Sequence, residues 1–395
     1  MKTAKTRIAG AAVVSLVVAT LAACGSGATA TGGSTPGPAG SPSSATSTGS
    51  GGSGAAASLV TKYSAASKPA AIAAIKKMPD LKGKTVWWIP ISNSVPIISA
   101  TGNGLQAALA KVGATMKTCD GNFLPTAIST CMSNAASQGA AAVVTGFYDY
   151  AMVPVAFQNL VSHKIPTLVF SENPSGGATD GPYLAFQKDE GMVDLRADLP
   201  ADWAIADGGQ NTTILSLRMT DSSATLQMEP TVKAEVQKNC PACGFDETDI
   251  ATASIDKASS AISAELVKDP HIKYIVVPLD TDLPQVLSGV AAAGRTGSVK
   301  IVAVGGSTSG LQAVKSGQLG ADVSNDPAFM GWSAADGLFR LMAGEPVQQV
   351  GTGTMKMFTQ QNVQNLSLTT AAFNTSDWYD GDAWMQQFLT AWGVK

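Results

Sequence analysis

His163 and His271 are the only histidines in the chain, so triads, histidine general bases and histidine metal sites have just two residues to build on. Each precedes a strand-like run, Thr167–Phe170 and Ile272–Pro278. In α/β sheets ligands gather at the opposite, carboxyl ends of strands. Both histidines therefore read as loop residues, and no GxSxG elbow, P-loop or HExxH motif is present. Cys240-Pro241-Ala242-Cys243 has the CxxC spacing of redox and zinc sites. A zinc site would need a second pair nearby, and a thioredoxin-like site a strand leading directly into the motif. Neither is found.

Gly102-Asn103-Gly104-Leu105-Gln106-Ala107 satisfies G-x-G-x-x-A, and Asp120 follows a later strand, as in dinucleotide binders. That fingerprint requires its first Gly directly at the end of strand one. Here ten residues intervene after Ile91. The glycines read instead as opening the first helix.

What positions the remaining polar residues is an alternating βαβ rhythm from residue 85 onward. Strand-like runs fall at 85–91, 114–118, 140–145, 166–170, 183–186, 212–217, 246–250, 274–278, 300–304 and 321–324, with helical patterns between them. Strands this apolar imply parallel sheets covered on both faces. The predicted class is α/β, with two doubly wound lobes. Ligand groups should then come from loops after the strands' carboxyl ends. Those loops hold Asn93 and Ser94; Tyr148, Asp149 and Tyr150; Ser171 and Glu172; Arg218, Thr220 and Asp221; Asp280 and Asp282; Ser307; and Asn325 with Asp326. Carboxylates and amides suit hydroxyl or amine donors, and the tyrosines would supply a stacking wall.

The first 57 residues are of another kind. Lys2, Lys5 and Arg7 precede an uncharged run of 16 residues, Ile8–Ala23. This is a secretory-signal layout, short of the ~18–20 apolar residues of a spanning helix. Leu21-Ala22-Ala23-Cys24 resembles the bacterial lipobox, in which the Cys becomes the lipidated first residue. Residues 25–57 are 33 consecutive Gly, Ser, Thr, Ala or Pro, the composition of a disordered tether. The expected organisation is a signal at 1–23, a lipidated Cys24 with tether at 24–57, and a helical leader at 58–81. That leader has its helix at Ala70–Lys77 and packs on the first lobe. Residues 366–395, with Trp378, Trp384 and Trp392, form a C-terminal appendage that caps the body.

Without the signal's three basic residues, 23 Lys+Arg face 29 acids, a net charge of −6. No basic run survives in the body, so nucleic acid is excluded as a partner. With Cys24 lipidated, four cysteines remain and allow three pairings. Local closure favours Cys119–Cys131 and Cys240–Cys243, because short loops cost least to close.

Ser162-His163-Lys164-Ile165-Pro166-Thr167-Leu168, Ile275–Asp280 and above all SGQLGADVSNDPAFMGWSAADGLFRLMAG at 316–344 carry a family resemblance. Over roughly 82–365 the chain resembles the type I periplasmic solute-binding proteins of the ribose/galactose-binding group. The resemblance implies two lobes closing on one small molecule, joined by a three-crossing hinge. Lobe 1 would be 82–172 plus 326–355, and lobe 2 would be 173–325 plus 356–365. Hinges would fall near Ser171–Asn173, Asn325–Asp326 and Met355–Thr359. It also implies a monomer that needs no metal or cofactor, delivers a sugar or sugar-like solute to an ABC importer permease, and meets the membrane only through its lipid.

The chain departs from the group's sugar-binding pattern. Ile97 and Ile98 follow Pro96 where stacked Phe is usual, and Ser171-Glu172 replaces Asp-Arg. Met228 stands for an Arg, Leu279 for an Asn, Ser307 for an Asp and Asn325 for a Gln. Both arginine forks for vicinal hydroxyls are thus missing. An amine-bearing or flatter, more apolar solute would fit Glu172, Asp280 and the tyrosines as well. A ligand-sensing lipoprotein reporting to a membrane receptor is the alternative role, and a dinucleotide-dependent enzyme the remote one.

Overall fold

The computed structural model describes residues 51–65, 68–188, 191–220, 223–349, 351 and 353–394. The signal segment, Cys24 and most of the tether lie outside them. The first described element is a helix, α1 (Gly51–Ser64). Five strands then build lobe 1: β1 (Thr85–Pro90), β2 (Thr115–Thr118), β3 (Ala142–Gly146), β4 (Thr167–Phe170) and β5 (Leu184–Gln187). Their order is β2-β1-β3-β4-β5, with every neighbour parallel. Strand side chains alternate faces. Val86 and Trp88 of β1 join the cluster under α2 (Pro96–Lys111), while Trp87 and Ile89 pack under α3 (Pro125–Ser137) and α4 (Pro154–Ser162).

Lobe 2 starts with α5 (Met192–Gly208) and then β6 (Thr213–Met219), α6 (Ser223–Asn239), β7 (Gly244–Ile250) and α7 (Ala258–Lys268). It continues with β8 (Ile272–Val277), α8 (Leu283–Ala292), β9 (Lys300–Val304), α9 (Thr308–Ser316) and β10 (Ala321–Asn325). The chain returns to lobe 1 as α10 (Pro327–Ala343), then adds β11 (Met355–Thr359) to lobe 2. Strand order there is β11-β10-β9-β8-β6-β7, parallel except for the antiparallel β10–β11 pair. Both lobes are doubly wound. α5 and α6 cover one face of the second sheet, and α7, α8 and α9 the other.

Three boundaries differ from those expected from sequence. β5 pairs with β4, so lobe 1 runs on through Gln187 and the first crossing lies between Gln187 and Met192 rather than at 171–173. Met355–Thr359 is an edge strand of lobe 2, which moves the third crossing ahead of it. The leader's helix is α1, which begins seven residues inside the expected tether and ends at Ser64 in the expected leader, and it packs on α5, α6 and β11 of lobe 2 rather than on lobe 1. Its Gly/Ser opening is a weak helix former, but Ala56 and Tyr63 are buried, and packing outweighs propensity.

Residues 70–77 form no helix, and 76–77 make a bend. Their backbone groups bond elsewhere: Ala73 N to Gln348 Oε1 at 3.0 Å, Lys76 N to Glu345 Oε1 at 2.8 Å and Ile75 N to Ala391 O at 2.9 Å. The segment is a strap running from lobe 2 to β1.

The C-terminal segment also crosses. α11 (Gln360–Val363), α12 (Thr370–Phe373) and a 3-10 turn at Asp377–Tyr379 lie in lobe 2, where Phe373, Trp378 and Tyr379 join its core. α13 (Met385–Ala391) then packs its flanking Trp384 and Trp392, with Phe388, against Phe329, Trp332 and Phe339 of α10. Covered on all sides, α10 buries every residue from Pro327 to Leu341. Its Arg340 is neutralised by Asp336 at 2.6 Å. Both cysteine pairs are bonded, Cys119–Cys131 and Cys240–Cys243.

Gly102 and Gly104 do not open a helix at a strand end. They lie inside α2, where a Cβ at Gly104 would sit 2.7 Å from Ala328 O, and one at Gly102 would meet the Trp88 indole. Gly104 serves the close crossing of α2 over α10, and Gly102 the packing of α2 on Trp88 of β1.

Candidate ligand cleft

The carboxyl edges of both sheets meet one boundary. β5 leaves lobe 1 from its carboxyl end into α5, and β10 leaves lobe 2 from its carboxyl end into α10. α2 starts at the carboxyl end of β1, and its Ile97 packs against the cores of both lobes.

On the lobe 1 side, the loop after β1 is stiffened locally. Ser92 Oγ pairs with Ser94 Oγ at 2.9 Å, and Asn93 N donates to Asp120 Oδ1 at 3.2 Å. Asn93 is half-buried and Ser94 exposed. After β3, Phe147 takes a positive φ of 68°, which re-aims the residues after it. Tyr148 and Tyr150 turn into the lobe 1 core, with ring centroids 6.2 and 4.8 Å from Phe157. Burial pushes the Tyr148 hydroxyl well above its usual pKa. The tyrosine stacking wall is therefore not there. Half-buried Phe147, set edge-on against Phe170 at 5.8 Å, is the aromatic at this edge. Asp149 is half-buried beside it.

Ser171 is buried with φ 60°, and Glu172, half-buried, donates its N to Gln187 O at 3.3 Å. Gln187 at the end of β5 is a residue that the sequence reading missed. Its Nε2 donates to Ser333 Oγ at 2.8 Å and Gln348 O at 3.0 Å, tying the first crossing to α10 and the third.

On the lobe 2 side, Arg218, next to last in β6, is gripped by Asp249 of the neighbouring β7 through two 2.6 Å contacts. Thr220 is exposed beyond it. Asp221 lies outside the described residues. Asp280 is buried and turns under the next loop, accepting from Ser307 N at 2.7 Å. A Cβ on Gly310 would meet both its carboxyl and that of Asp322.

Burial raises the pKa of Asp280. Burial, and then Asp280, push Asp322 well above the carboxylate range. One proton shared by the pair avoids two buried charges. Asp282 is pushed up to about 6 by burial and then Asp280. Ser307 caps α9, accepting from Gly310 N at 3.0 Å.

At the second crossing Asn325 and Asp326 are fully buried. Asp326 caps α10 through Ala328 N and Phe329 N at 2.9 and 3.1 Å, and burial lifts its pKa to about 6. Asn325 accepts from Arg196 Nε at 3.2 Å and faces Met192 Sδ at 3.4 Å. Arg196 escapes the sequence reading because it lies on a helix rather than in a strand-end loop. Both histidines are exposed and bonded locally, His163 to Asn159 O and His271 to Asp269.

Among the described residues no three His, Cys, Asp or Glu could hold a metal ion, and no helix is long and apolar enough to cross a membrane. The arrangement presents hydroxyl, amide, carboxylate and guanidinium groups around a boundary that two lobes share. Such groups suit recognition of a polar solute.

Solved structures share this architecture. The 5-methylthioribose transporter solute-binding protein of Thermotoga lettingae, in complex with 5-methylthioribose, superposes with a TM-score of 0.64 at 13% identity, over 82% of this chain and 100% of that one. The Caulobacter myo-inositol binding protein, bound to myo-inositol, gives 0.61 at 21% identity, over 72% and 95%. A Mycobacterium smegmatis protein in complex with β-D-fucofuranose gives 0.60 at 18%, over 79% and 98%. No curated protein matches the chain in sequence. The family model for the periplasmic binding protein domain matches residues 86–346. The chain belongs to the periplasmic binding protein family, whose members bind solutes and are not enzymes.

Proposed function

We propose that this is an exported, lipid-anchored binding protein that captures a small polar, sugar-like solute between its lobes and delivers it to an ABC importer. One observation carries the reading: the two parallel sheets turn their carboxyl edges to a common boundary threaded by the hinge crossings. The named ligands of the structural neighbours, 5-methylthioribose, myo-inositol and β-D-fucofuranose, are all hydroxyl-rich. Asn93, Ser94, Phe147, Asp149, Ser171 and Glu172 would line the cleft from lobe 1, and Asp282 and Ser307 from lobe 2. Asp280 acts by fixing Ser307 rather than by touching solute.

Two experiments test this. Thermal shift across sugars, polyols, nucleosides and amines should find a stabilising solute by mass action; stabilisation by NAD alone would favour a dehydrogenase. Cys24→Ser should move the protein from the membrane fraction to the soluble one, and continued membrane retention would contradict the anchor.

A further inference from the structure

We propose that Arg196 anchors the solute and selects a carboxylated sugar, an inference that rests on the cleft reading above. Four arginines lie among the described residues, and three are committed within the protein. Arg218 is held at both prongs by Asp249. Arg340 is paired with Asp336 and reaches Ala73 O. Arg295 gives its terminal nitrogens to the carbonyls of Leu266 and Ile272, and its Nε to Ser298 Oγ at 3.0 Å.

Arg196 spends only Nε, on Asn325 Oδ1 at 3.2 Å. Among the described residues no carboxylate pairs with it and no acceptor takes its terminal nitrogens. Yet it is half-buried, and a cation partly withdrawn from water is costly without a partner.

Its place is the mouth of two crossings. Arg196 lies one turn beyond Met192, where the chain has just entered lobe 2, and Asn325 is the last residue of β10, where the chain leaves it. Asn325 is fixed from both sides, its Nδ2 toward Met192 Sδ and its Oδ1 on Arg196. Asn325 therefore positions the guanidinium and has little left to offer a solute. Among the described residues the buried acids at the carboxyl edge of the second sheet are spent elsewhere. Asp326 is spent on capping α10, and Asp280 and Asp322 on backbone donors and each other.

The terminal N–H groups form a planar fork that matches a carboxylate at two points. Arginine is missing at both positions where similar sugar binders carry one, and Arg196 supplies a fork from a different element. A carboxylate supplies the missing counter-charge, a neutral hydroxyl supplies acceptors without charge, and an ammonium is repelled. The amine-bearing solute that the acidic loops admit is thereby disfavoured.

Calorimetric titration with D-galacturonate, D-galactose and D-galactosamine, and with their glucose counterparts, tests the inference. In the wild-type protein the uronate should bind about tenfold tighter than the neutral sugar, and the amino sugar weakest. Arg196→Gln should weaken uronate binding by about tenfold or more while changing the neutral sugar less, and Arg196→Lys should retain part of the preference. Asn325→Ala, which leaves the guanidinium in place but unsupported, should also weaken the uronate. Sugars that bind equally well to Arg196→Gln, or an amino sugar that binds best, would overturn the inference and leave the cleft reading standing. Binding of neither series would overturn both.

Discussion

Asn103 Nδ2 donates to Asn374 Oδ1 at 2.7 Å, joining α2 of lobe 1 to the end of α12 on lobe 2. The two residues are 271 positions apart in the chain, and the contact exists because the C-terminal segment lies across the interlobe boundary. Just beyond it, the ring of Tyr379 meets Phe358 of β11 at 5.4 Å, and α13 then seats three aromatics on α10. With the strap at 68–80, the chain passes between the lobes five times, three times through the hinge and once at each end.

The cap should be a major source of stability. Trp392 stacks on Trp332 at 5.4 Å, meets Phe339 edge-on at 4.9 Å and donates from Nε1 to buried Asp336 at 2.9 Å. Trp392→Ala should cost about 3 kcal/mol or more, since it opens a cavity and strips a donor from Asp336. Urea unfolding measures this; a loss below about 1 kcal/mol would show that the cap is dispensable.

The strap depends on one side chain more than any other. Gln348 accepts from Ala73 N and donates from Nε2 to Ala71 O at 2.7 Å. Gln348→Ala should cost only about 1–2 kcal/mol, because these bonds are near solvent. It should still speed amide exchange at Ala73 while leaving the β-sheet amides unchanged. Unaltered exchange at Ala73 would mean the strap is held by other contacts.

The crossing of α2 over α10 requires glycine. A Cβ at Gly331 would overlap both Leu105 N and Thr101 O, which are backbone atoms that cannot swing away. Gly331→Ala should cost about 3 kcal/mol by forcing the helices apart. Gly139→Ala, at φ +67° with open space around it, should cost only about 1 kcal/mol of backbone strain. Similar melting temperatures for the two variants would refute the close-crossing account.

Those glycines show what sequence conveys and what it does not. Strand cores such as Ala142-Val143-Val144 of β3 announce themselves by continuous apolar character, because a sheet covered on both faces tolerates little else. The α2 glycines carry two meanings, and only their packing, Gly102 on Trp88 and Gly104 on an α10 more than 200 residues on, decides between them. Strand-end position alone places Tyr148 and Tyr150 in the cleft, but the left-handed turn at Phe147 sends both rings into the lobe 1 core. β11 is one short strand carrying Lys356, whose charge is absorbed by Asp380 at 2.9 Å, so its sequence resembles a hinge loop. The first half of helix α1 is hidden in the Gly/Ser/Ala-rich sequence because what makes it helical is the surface of lobe 2.

Stability should fall as pH rises from mild acid. Asp202 of α5 is fully buried, accepts from Asn239 Nδ2 at 2.9 Å and lies near Glu235. Burial lifts its pKa to about 7, and burial followed by Glu235 does the same for Asp198. A carboxyl raised on folding contributes stability that is full below its unfolded pKa and lost as pH climbs through the folded value. The melting temperature should therefore drop between about pH 4 and about pH 7. Asp202→Asn, neutral throughout, should stabilise the protein at about pH 8 by on the order of 1–3 kcal/mol and flatten this slope. An unchanged slope would place the titration elsewhere.

Amide hydrogen exchange with and without the best solute from the thermal screen bears most directly on capture between lobes. Protection should rise together in the lobe 1 loops at 91–95, 147–150 and 171–172 and in the lobe 2 loops at 279–282 and 305–307, with the outer helices unchanged. Protection confined to one lobe, or found on the outer faces instead, would contradict a solute held between the two carboxyl edges.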